Sequence, residues 1–256
     1  MVKRLLSSLM PYLITILVLY LIWKGMANWL SQDVLPQPEE ATGAFLSALL
    51  TTDFWIHFGI SSFRATTAMV IAWIIAFPLG IMMGSSKKMD ALFSPFVFLT
   101  YPIPKVVLLP VVFLIFGLGD TSKILIISLI IGYQVLVTTR DGVKGVHPEH
   151  LNSIRSLGAN RWQLFVDGYI PAALPYGFTA LRLNSGVSVA VLFFVESFAT
   201  SEGLGYLIMD AWGRMDFSEM FVGVFGMSLL GVLLNEGANL LEKRSCPWFH
   251  VTNSSR

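Results

Sequence analysis

The residues of this sequence that could do chemistry fall into two groups. The first is a polar stretch from His147 to Gly168, between two apolar segments. It is predicted to form two short helices joined at an elbow, because Pro148 is typical of a first helical turn, Gly158 of a left-handed helix end and Asn160 of a helix cap. Too many of its side chains are apolar for a solvated connector, so we expect it to dock another protein. The residues expected to form this contact are Leu151, Ile154, Arg155, Leu157, Gly158, Ala159 and Arg161.

The second group lies inside an apolar segment and consists of Arg182, Asn184, Ser185, Ser188 and Glu196. Charges inside a membrane span are expensive and usually face a bundle interior or a cavity. Glu196 follows Arg182 by 14 residues, which returns a helix close to the same face. Two interpretations stay open: the stripe lines a pathway, or it forms hydrogen bonds between helices. For Arg182 alone, a third interpretation is that the side chain extends to the membrane surface.

A membrane protein must position these residues. Of the 256 residues, 55% are hydrophobic and only 13% are charged, and the mean hydropathy is +0.69. The net charge of +1 argues against a nucleic-acid partner, which would require a clustered basic surface. The single Cys246 excludes an internal disulfide. No small-x-small cleavage site ends the first apolar run, so we expect a retained span rather than a signal peptide.

Six segments are apolar enough to cross a bilayer core, which takes about 20 residues. They are predicted at residues 5 or 9 to 23, 61–83, within 91–119, 122–137, 177–199 and 220–241. Short loops rich in lysine and arginine stay in the cytoplasm, so both termini and the elbow are expected to be cytoplasmic. The basic residues assigned to the inner side are Lys3, Arg4, Lys87, Lys88, Arg140, Lys144, Arg155, Arg161, Lys243 and Arg244. The acidic residues assigned to the outer side are Asp33, Glu39, Glu40, Asp53, Asp120, Glu202, Asp210, Asp216 and Glu219.

The third segment is predicted to be broken, because it is longer than one straight span and contains four prolines. These are Pro95, Pro102, Pro104 and Pro110, with Lys105 among them. Proline removes a backbone donor, and such breaks survive at membrane depth only where protein or water satisfies the freed carbonyls. A bent helix lining a pathway and a turn at the inner membrane surface are both compatible with this pattern.

Other motifs are weaker or missing. Gly80-x-x-x-Gly84 permits close helix contact, either within the chain or against a second copy. The sequence contains no phosphate-binding G-x-x-x-x-G-K-[ST] loop and no H-E-x-x-H pair. His147 and His150 are close in sequence, but a metal site would need more ligands. No internal repeat supports a transporter built from inverted halves.

Several motifs together resemble a known family. Residues 152–165, followed by Ile-Pro-Ala-Ala-Leu-Pro at 170–175, resemble the cytoplasmic "EAA" loop of permease subunits from binding-protein-dependent ABC importers. Asn152, Ser153 and Ile154 replace the Glu-Ala-Ala triplet itself, whereas Gly158 matches the motif. Segments similar to the nitrate, sulfonate and taurine branch are 61–64, 101–105 with 109–110, 116–119 with 122–123, and Glu196 with 202–206.

The resemblance implies an all-α polytopic membrane protein with about six transmembrane helices, a type I ABC importer permease-like (MetI-like) bundle. It implies one transmembrane permease domain over residues 1–256, with a first span in 1–30, a core over 61–241 and a cytoplasmic coupling loop over 147–168. The docking residues named above would then couple the chain to an ATPase, and the polar stripe would be the pathway candidate.

The resemblance also implies partners. Two copies of the permease, surrounded by membrane lipid, would form one pathway in the bacterial cytoplasmic (inner) membrane. Two cytoplasmic ABC ATPase subunits would use ATP, and an extracytoplasmic solute-binding protein would deliver a small anion such as nitrate, a sulfonate or taurine. The chain itself would bind no cofactor, catalyse no covalent reaction and bind no nucleic acid. The alternative is an ion-coupled secondary transporter in which Glu196 carries a proton.

Overall fold

The computed structural model describes residues 2–30 and 35–248, and within these ranges the chain forms only helices and connecting loops. In chain order the helices are α1 (Val2–Leu30), α2 (Pro38–Ala48), α3 (Thr52–Ser85), α4 (Lys87–Thr100), a 3-10 turn (Lys105–Leu108), α5 (Leu109–Phe116), α6 (Asp120–Lys144), α7 (Pro148–Ser156), α8 (Arg161–Gln163), a π-helical segment (Leu164–Tyr169), α9 (Ile170–Glu196), α10 (Leu204–Gly213) and α11 (Phe217–Ser245).

Within the described ranges, five helical runs are long and apolar enough to cross a membrane, and one bent pair is a sixth candidate. The straight candidates are Leu13–Leu30, Thr52–Ser85, Asp120–Lys144, Arg161–Glu196 and Phe217–Ser245. The prediction of about six spans in an all-α membrane protein is confirmed. The helices are longer than the predicted apolar segments because polar residues cap their ends. For example, the Thr51 side chain accepts a hydrogen bond from the backbone N–H of Phe54 at the start of α3.

The sixth candidate is the predicted broken span. Its two parts, Lys87–Thr100 and Lys105–Phe116, meet at an angle of 79° across Pro102 and Pro104. The Lys105 ammonium donates to the carbonyl oxygens of Thr100 at 3.0 Å and Tyr101 at 2.8 Å. Two backbone acceptors that lose helical donors at the break are therefore satisfied by a side chain, as membrane depth requires.

The core of the bundle consists of α3, α6, α9 and α11. Gly80 and Gly84 of α3 face α6, and they bring the two backbones close together. A Cβ on Gly80 would lie 2.8 Å from the Leu136 carbonyl oxygen, and one on Gly84 would lie 2.5 Å from the Val143 Cβ. Of the two alternatives for the glycine motif, packing within the chain is the one that the structure supports.

The ends of the bundle carry opposite charges. Lys87, Lys88, Lys144 and the elbow lie at one end, which we call the basic end. The helix ends that contain Asp53, Asp120 and Asp216 lie at the other, which we call the acidic end; its further acidic residues are Glu39, Glu40, Glu202, Asp210 and Glu219. Asp33 and the C-terminal residues 249–256 lie outside the described residues, and which end faces the cytoplasm stays a prediction.

Candidate functional site

The elbow at the basic end has the local structure that its sequence predicts. Pro148 occupies the first turn of α7, and Gly158 ends it with a φ of +83°. The Asn160 side chain accepts from the Gln163 N–H, and the Gln163 side chain accepts from the Asn160 N–H, both at 2.9 Å. This reciprocal cap begins the next helix and satisfies two backbone N–H donors within the chain.

The apolar face of the elbow is divided between the chain itself and the solvent. Leu151 and Ile154 are half-buried, and each has a terminal carbon 3.3 Å from the position of a Cβ on Gly168. They pack α7 against the π-helical segment, and whether they also form one docking face with Leu157 stays a prediction. Leu157 lies beyond the last turn of α7 and is 89% exposed.

The elbow also has an exposed surface. Leu157 and Trp162, which is 71% exposed, are its large apolar side chains, and the Trp162 ring stacks on Phe165 with centroids 6.0 Å apart. Arg155 and Arg161 are exposed beside them, and Gly158 is exposed while Ala159 is half-buried. This surface offers apolar contact area and two cations, and whether it contacts an ATPase stays a prediction.

The polar stripe on α9 is mostly enclosed by the chain. Asn184, Ser188 and Glu196 are buried, with exposures of 7%, 0% and 0%. The Asn184 amide donates to the Ala180 carbonyl at 2.7 Å, and the Ser188 hydroxyl donates to the Ser185 carbonyl at 2.6 Å. In this chain alone the three residues are covered by their own helices, which favours hydrogen bonding between helices, and their place on a shared pathway stays a prediction.

Arg182 and Ser185 line a groove of about 500 Å³ between α9 and α11, although Ser185 is itself only 3% exposed. The Asn235 amide of α11 donates to the Ser185 hydroxyl at 3.3 Å, a bond between helices. The Arg182 side chain lies 3.3 Å from Glu242, which is only 1% exposed. Sequence reasoning missed Glu242 as a partner, although an acidic residue at the end of an apolar segment signals a need for a cation.

Glu196 lies in a buried cluster near the acidic end. Its carboxylate accepts from the Arg64 guanidinium at 2.8 Å, from the Ser61 hydroxyl at 2.8 Å and from the Gly205 N–H at 3.0 Å. Arg64 is 3% exposed and also donates to Asp120 at 2.7 Å. The cluster joins α3, α6 and α9, which are far apart in sequence.

The loop after α9 closes this cluster. The Leu204 N–H donates to the Ser61 hydroxyl at 2.8 Å, and the Gly203 N–H donates to His57 Nδ1 at 3.0 Å. Gly203 has a φ of +112°, and a Cβ there would lie 2.5 Å from the Glu196 carboxylate. Only glycine fits this position, because both the backbone conformation and the close carboxylate exclude a side chain.

The cluster has the chemistry of a structural clamp. Both oxygens of the Glu196 carboxylate accept hydrogen bonds from donors of the same chain. The positive charge of Arg64 balances the negative charge of this carboxylate. In the sequence, Ser61 and Arg64 are distinguished only as part of the family motif at 61–64. The signal that could have paired them with Glu196 is that a charge inside a span needs a counter-charge.

Residues 2–30 and 35–248 contain no group of three or more His, Cys, Asp or Glu side chains that could hold a metal ion. The His147 and His150 rings, predicted to be too few for a metal site, lie 6.3 Å apart.

Comparison with known proteins agrees with this architecture. The family described as "Binding-protein-dependent transport system inner membrane component" matches residues 76–245. The chain belongs to this family. It is similar to the taurine transport system permease protein of Escherichia coli (31% identity, 91% of this chain and 88% of that protein) and to the putative aliphatic sulfonates transport permease protein of Bacillus subtilis (29%, 90% and 84%). The formylaminopyrimidine transport permease protein of Halalkalibacterium halodurans is 26% identical over 96% of this chain and 98% of that protein. This chain is thus an ABC transporter permease of the nitrate, sulfonate and taurine branch.

Proposed function

We propose that this chain is the membrane-spanning subunit of an importer that moves small organic anions of the sulfonate type into the cytoplasm. Two copies form the pathway, two ATPase subunits bind at the basic end, and a solute-binding protein docks at the acidic end. ATP hydrolysis in the ATPases drives alternating access, and this chain binds no nucleotide itself. The names of the relatives, which cite taurine and aliphatic sulfonates, support this solute class.

The observation that carries the ATPase partnership is the elbow. A two-helix element with its own caps projects from the basic end and exposes Leu157 and Trp162 together with two arginines. Leu151 and Ile154 fasten α7 to the start of the α9 span through Gly168. A displacement of the exposed surface of the elbow would therefore be transmitted to α9, as a coupling element requires.

The charges of the basic end also indicate how the chain is oriented in the membrane. We propose that the basic end is cytoplasmic, because lysine and arginine concentrate there and short basic loops remain inside. Both termini then lie in the cytoplasm, and the acidic end faces the solute-binding protein.

Proton coupling through Glu196 is not favoured. A carrier must exchange protons with water on both sides of the membrane, whereas Glu196 is 0% exposed and hydrogen-bonded to Arg64, Ser61 and Gly205.

The test of the proposed function is the substitution Gly158→Val. A φ of +83° is strained for a residue with a Cβ by about 1 kcal/mol or more, and the strain is relieved by turning the elbow. No atom lies within 4 Å of a Cβ at this position, so the effect is conformational rather than a clash. We expect Gly158→Val to reduce ATP hydrolysis stimulated by the binding protein in the complex with the ATPase, while membrane insertion remains intact.

The matched control is Gly158→Asn, because asparagine tolerates the left-handed conformation better than valine. It should retain most of the stimulated hydrolysis. If Gly158→Val binds the ATPase and supports stimulated hydrolysis at the wild-type rate, the elbow is not the coupling element.

A further inference from the structure

The bend in the broken span contains a cation near the middle of the membrane. The Lys105 ammonium lies 4.0 Å from the centre of the Tyr133 ring, and Tyr133 is near the middle of the 25-residue α6. At a rise of about 1.5 Å per residue, this position is at least about 16 Å from either end of that helix. An ionisable side chain at such a depth is a functional-site candidate by its cost alone.

Lys105 differs from the arginines of the other spans in having no carboxylate partner. Arg64 pairs with Glu196, Arg140 with Asp90, and Arg182 with Glu242. Lys105 forms no ion pair with any residue in 2–30 or 35–248. In the described part of the chain, its ammonium faces carbonyl dipoles and aromatic rings, which do not cancel its positive charge.

The ammonium also has an unused donor. It carries three N–H groups, of which two donate to the carbonyl oxygens of Thr100 and Tyr101. The rings of Tyr133 and Tyr101 flank it at 4.0 and 5.3 Å. The Lys105 side chain is half-exposed, so a ligand can reach the third donor.

The surroundings of the bend are polar enough for such a ligand. The Tyr133 hydroxyl is 2.8 Å from the Thr100 hydroxyl, and the Tyr101 hydroxyl donates to the Gln134 side chain at 3.2 Å. All four of these side chains are half-buried or exposed rather than enclosed. Irregular backbone at membrane depth is tolerated where protein covers it or where it lines a water-filled cavity. Half-exposed polar groups around a cation favour the cavity.

We propose that Lys105, flanked by Tyr101 and Tyr133, binds the anionic group of the solute during its passage through the membrane. The ligand is a small organic anion that carries a sulfonate or a carboxylate. The identity of the ligand as a solute rests on the proposed function, whereas the positive charge and the water access of the bend do not.

The test measures how fast single cysteines beside Lys105 react with charged thiol reagents in the full-length protein in liposomes. The reporters are Ile103→Cys and Val107→Cys, at positions that are 49% and 68% exposed. The anionic reagent is sulfonatoethyl methanethiosulfonate, itself an ethanesulfonate, and the cationic reagent is the trimethylammonioethyl analogue. The natural Cys246 is fully buried, and burial raises the pKa of its thiol, so the unsubstituted protein is the unlabelled control.

We expect the ratio of anionic to cationic labelling rates to fall about tenfold when Lys105→Gln is added to either reporter. Glutamine keeps amide donors for the freed carbonyls and removes only the charge. Lys105→Arg, which keeps the charge, should preserve the ratio. An exposed reporter at the acidic-end loop, Leu50→Cys, should show no dependence on Lys105.

Two further measurements decide whether the bend is a site rather than a region of positive potential. Potassium ethanesulfonate should slow anionic labelling more than potassium chloride at the same ionic strength. The matched loss of a lysine from the exposed start of the same span, Lys88→Gln, should leave the ratio unchanged.

The proposal is overturned if Lys105→Gln leaves the ratio unchanged, if neither reagent reaches either reporter, or if ethanesulfonate protects no better than chloride. Because labelling requires no ATPase and no binding protein, these results are independent of the Gly158→Val test. A failure of the importer function and a failure of the Lys105 site are therefore separate outcomes.

Discussion

Neutralising Glu196 should destabilise the bundle even though the substitution is nearly isosteric. In Glu196→Gln, the amide oxygen can still accept from Arg64. The amide N–H₂ replaces the oxygen that accepts from the Gly205 N–H at 3.0 Å, so two donors then face each other. One buried donor loses its acceptor, and Arg64, only 3% exposed, loses a full counter-charge. Removing one partner of a buried ion pair costs about 3–5 kcal/mol, and the remaining pair of Arg64 with Asp120 at 2.7 Å favours the lower end.

The expected loss of about 3 kcal/mol corresponds to a decrease in Tm of about 6–12 °C for a chain of this size. The measurement is thermal unfolding of the purified protein in detergent, followed by intrinsic fluorescence. The control is Glu236→Gln, because Glu236 is exposed on α11 and its carboxylate accepts a hydrogen bond from the Asn239 amide at 3.2 Å. That control should shift Tm by less than about 2 °C.

A double-mutant cycle tests the cause of the loss. Arg64→Gln combined with Glu196→Gln should cost less than the sum of the two single changes, because each single change already breaks the same ion pair. The reasoning is refuted if Glu196→Gln unfolds at the wild-type temperature, or if the two losses simply add.

Two further predictions concern the packing of α3 and the orientation of the chain. Gly84→Ala should destabilise the protein by about 1–3 kcal/mol, because its Cβ would lie 2.5 Å from the Val143 Cβ, whereas Gly59→Ala, with no atom within 4 Å, should not; equal Tm values for both would refute the close contact. Cysteines placed at Lys88 and Glu40 should respectively resist and react with an impermeant thiol reagent in intact cells, in a background without the natural cysteine, and the reverse pattern would invert the proposed topology.

Features that depend on a few neighbouring residues could be predicted from the sequence. Gly158 adopts a positive φ and Asn160 caps the following helix, because backbone conformation and capping are decided within one helical turn. The break at Pro102 and Pro104 was predictable for the same reason, since proline removes a donor wherever it stands. The spans were predictable because about 20 apolar residues suffice to cross the membrane.

Features that join distant parts of the chain were decided only by the tertiary structure. The apolar sequence around Glu196 indicates that its carboxylate lies inside a bundle. The neighbouring residues do not indicate whether that carboxylate pairs with Arg64, 132 residues earlier, or faces a water-filled pathway. Likewise, the apolar pattern of α7 marks Leu151 and Ile154 as contact residues without telling whether the partner is another protein or Gly168 of the same chain. Periodicity shows that a face must be covered or a charge compensated; which group does so depends on how the helices pack, and that is a property of the whole bundle.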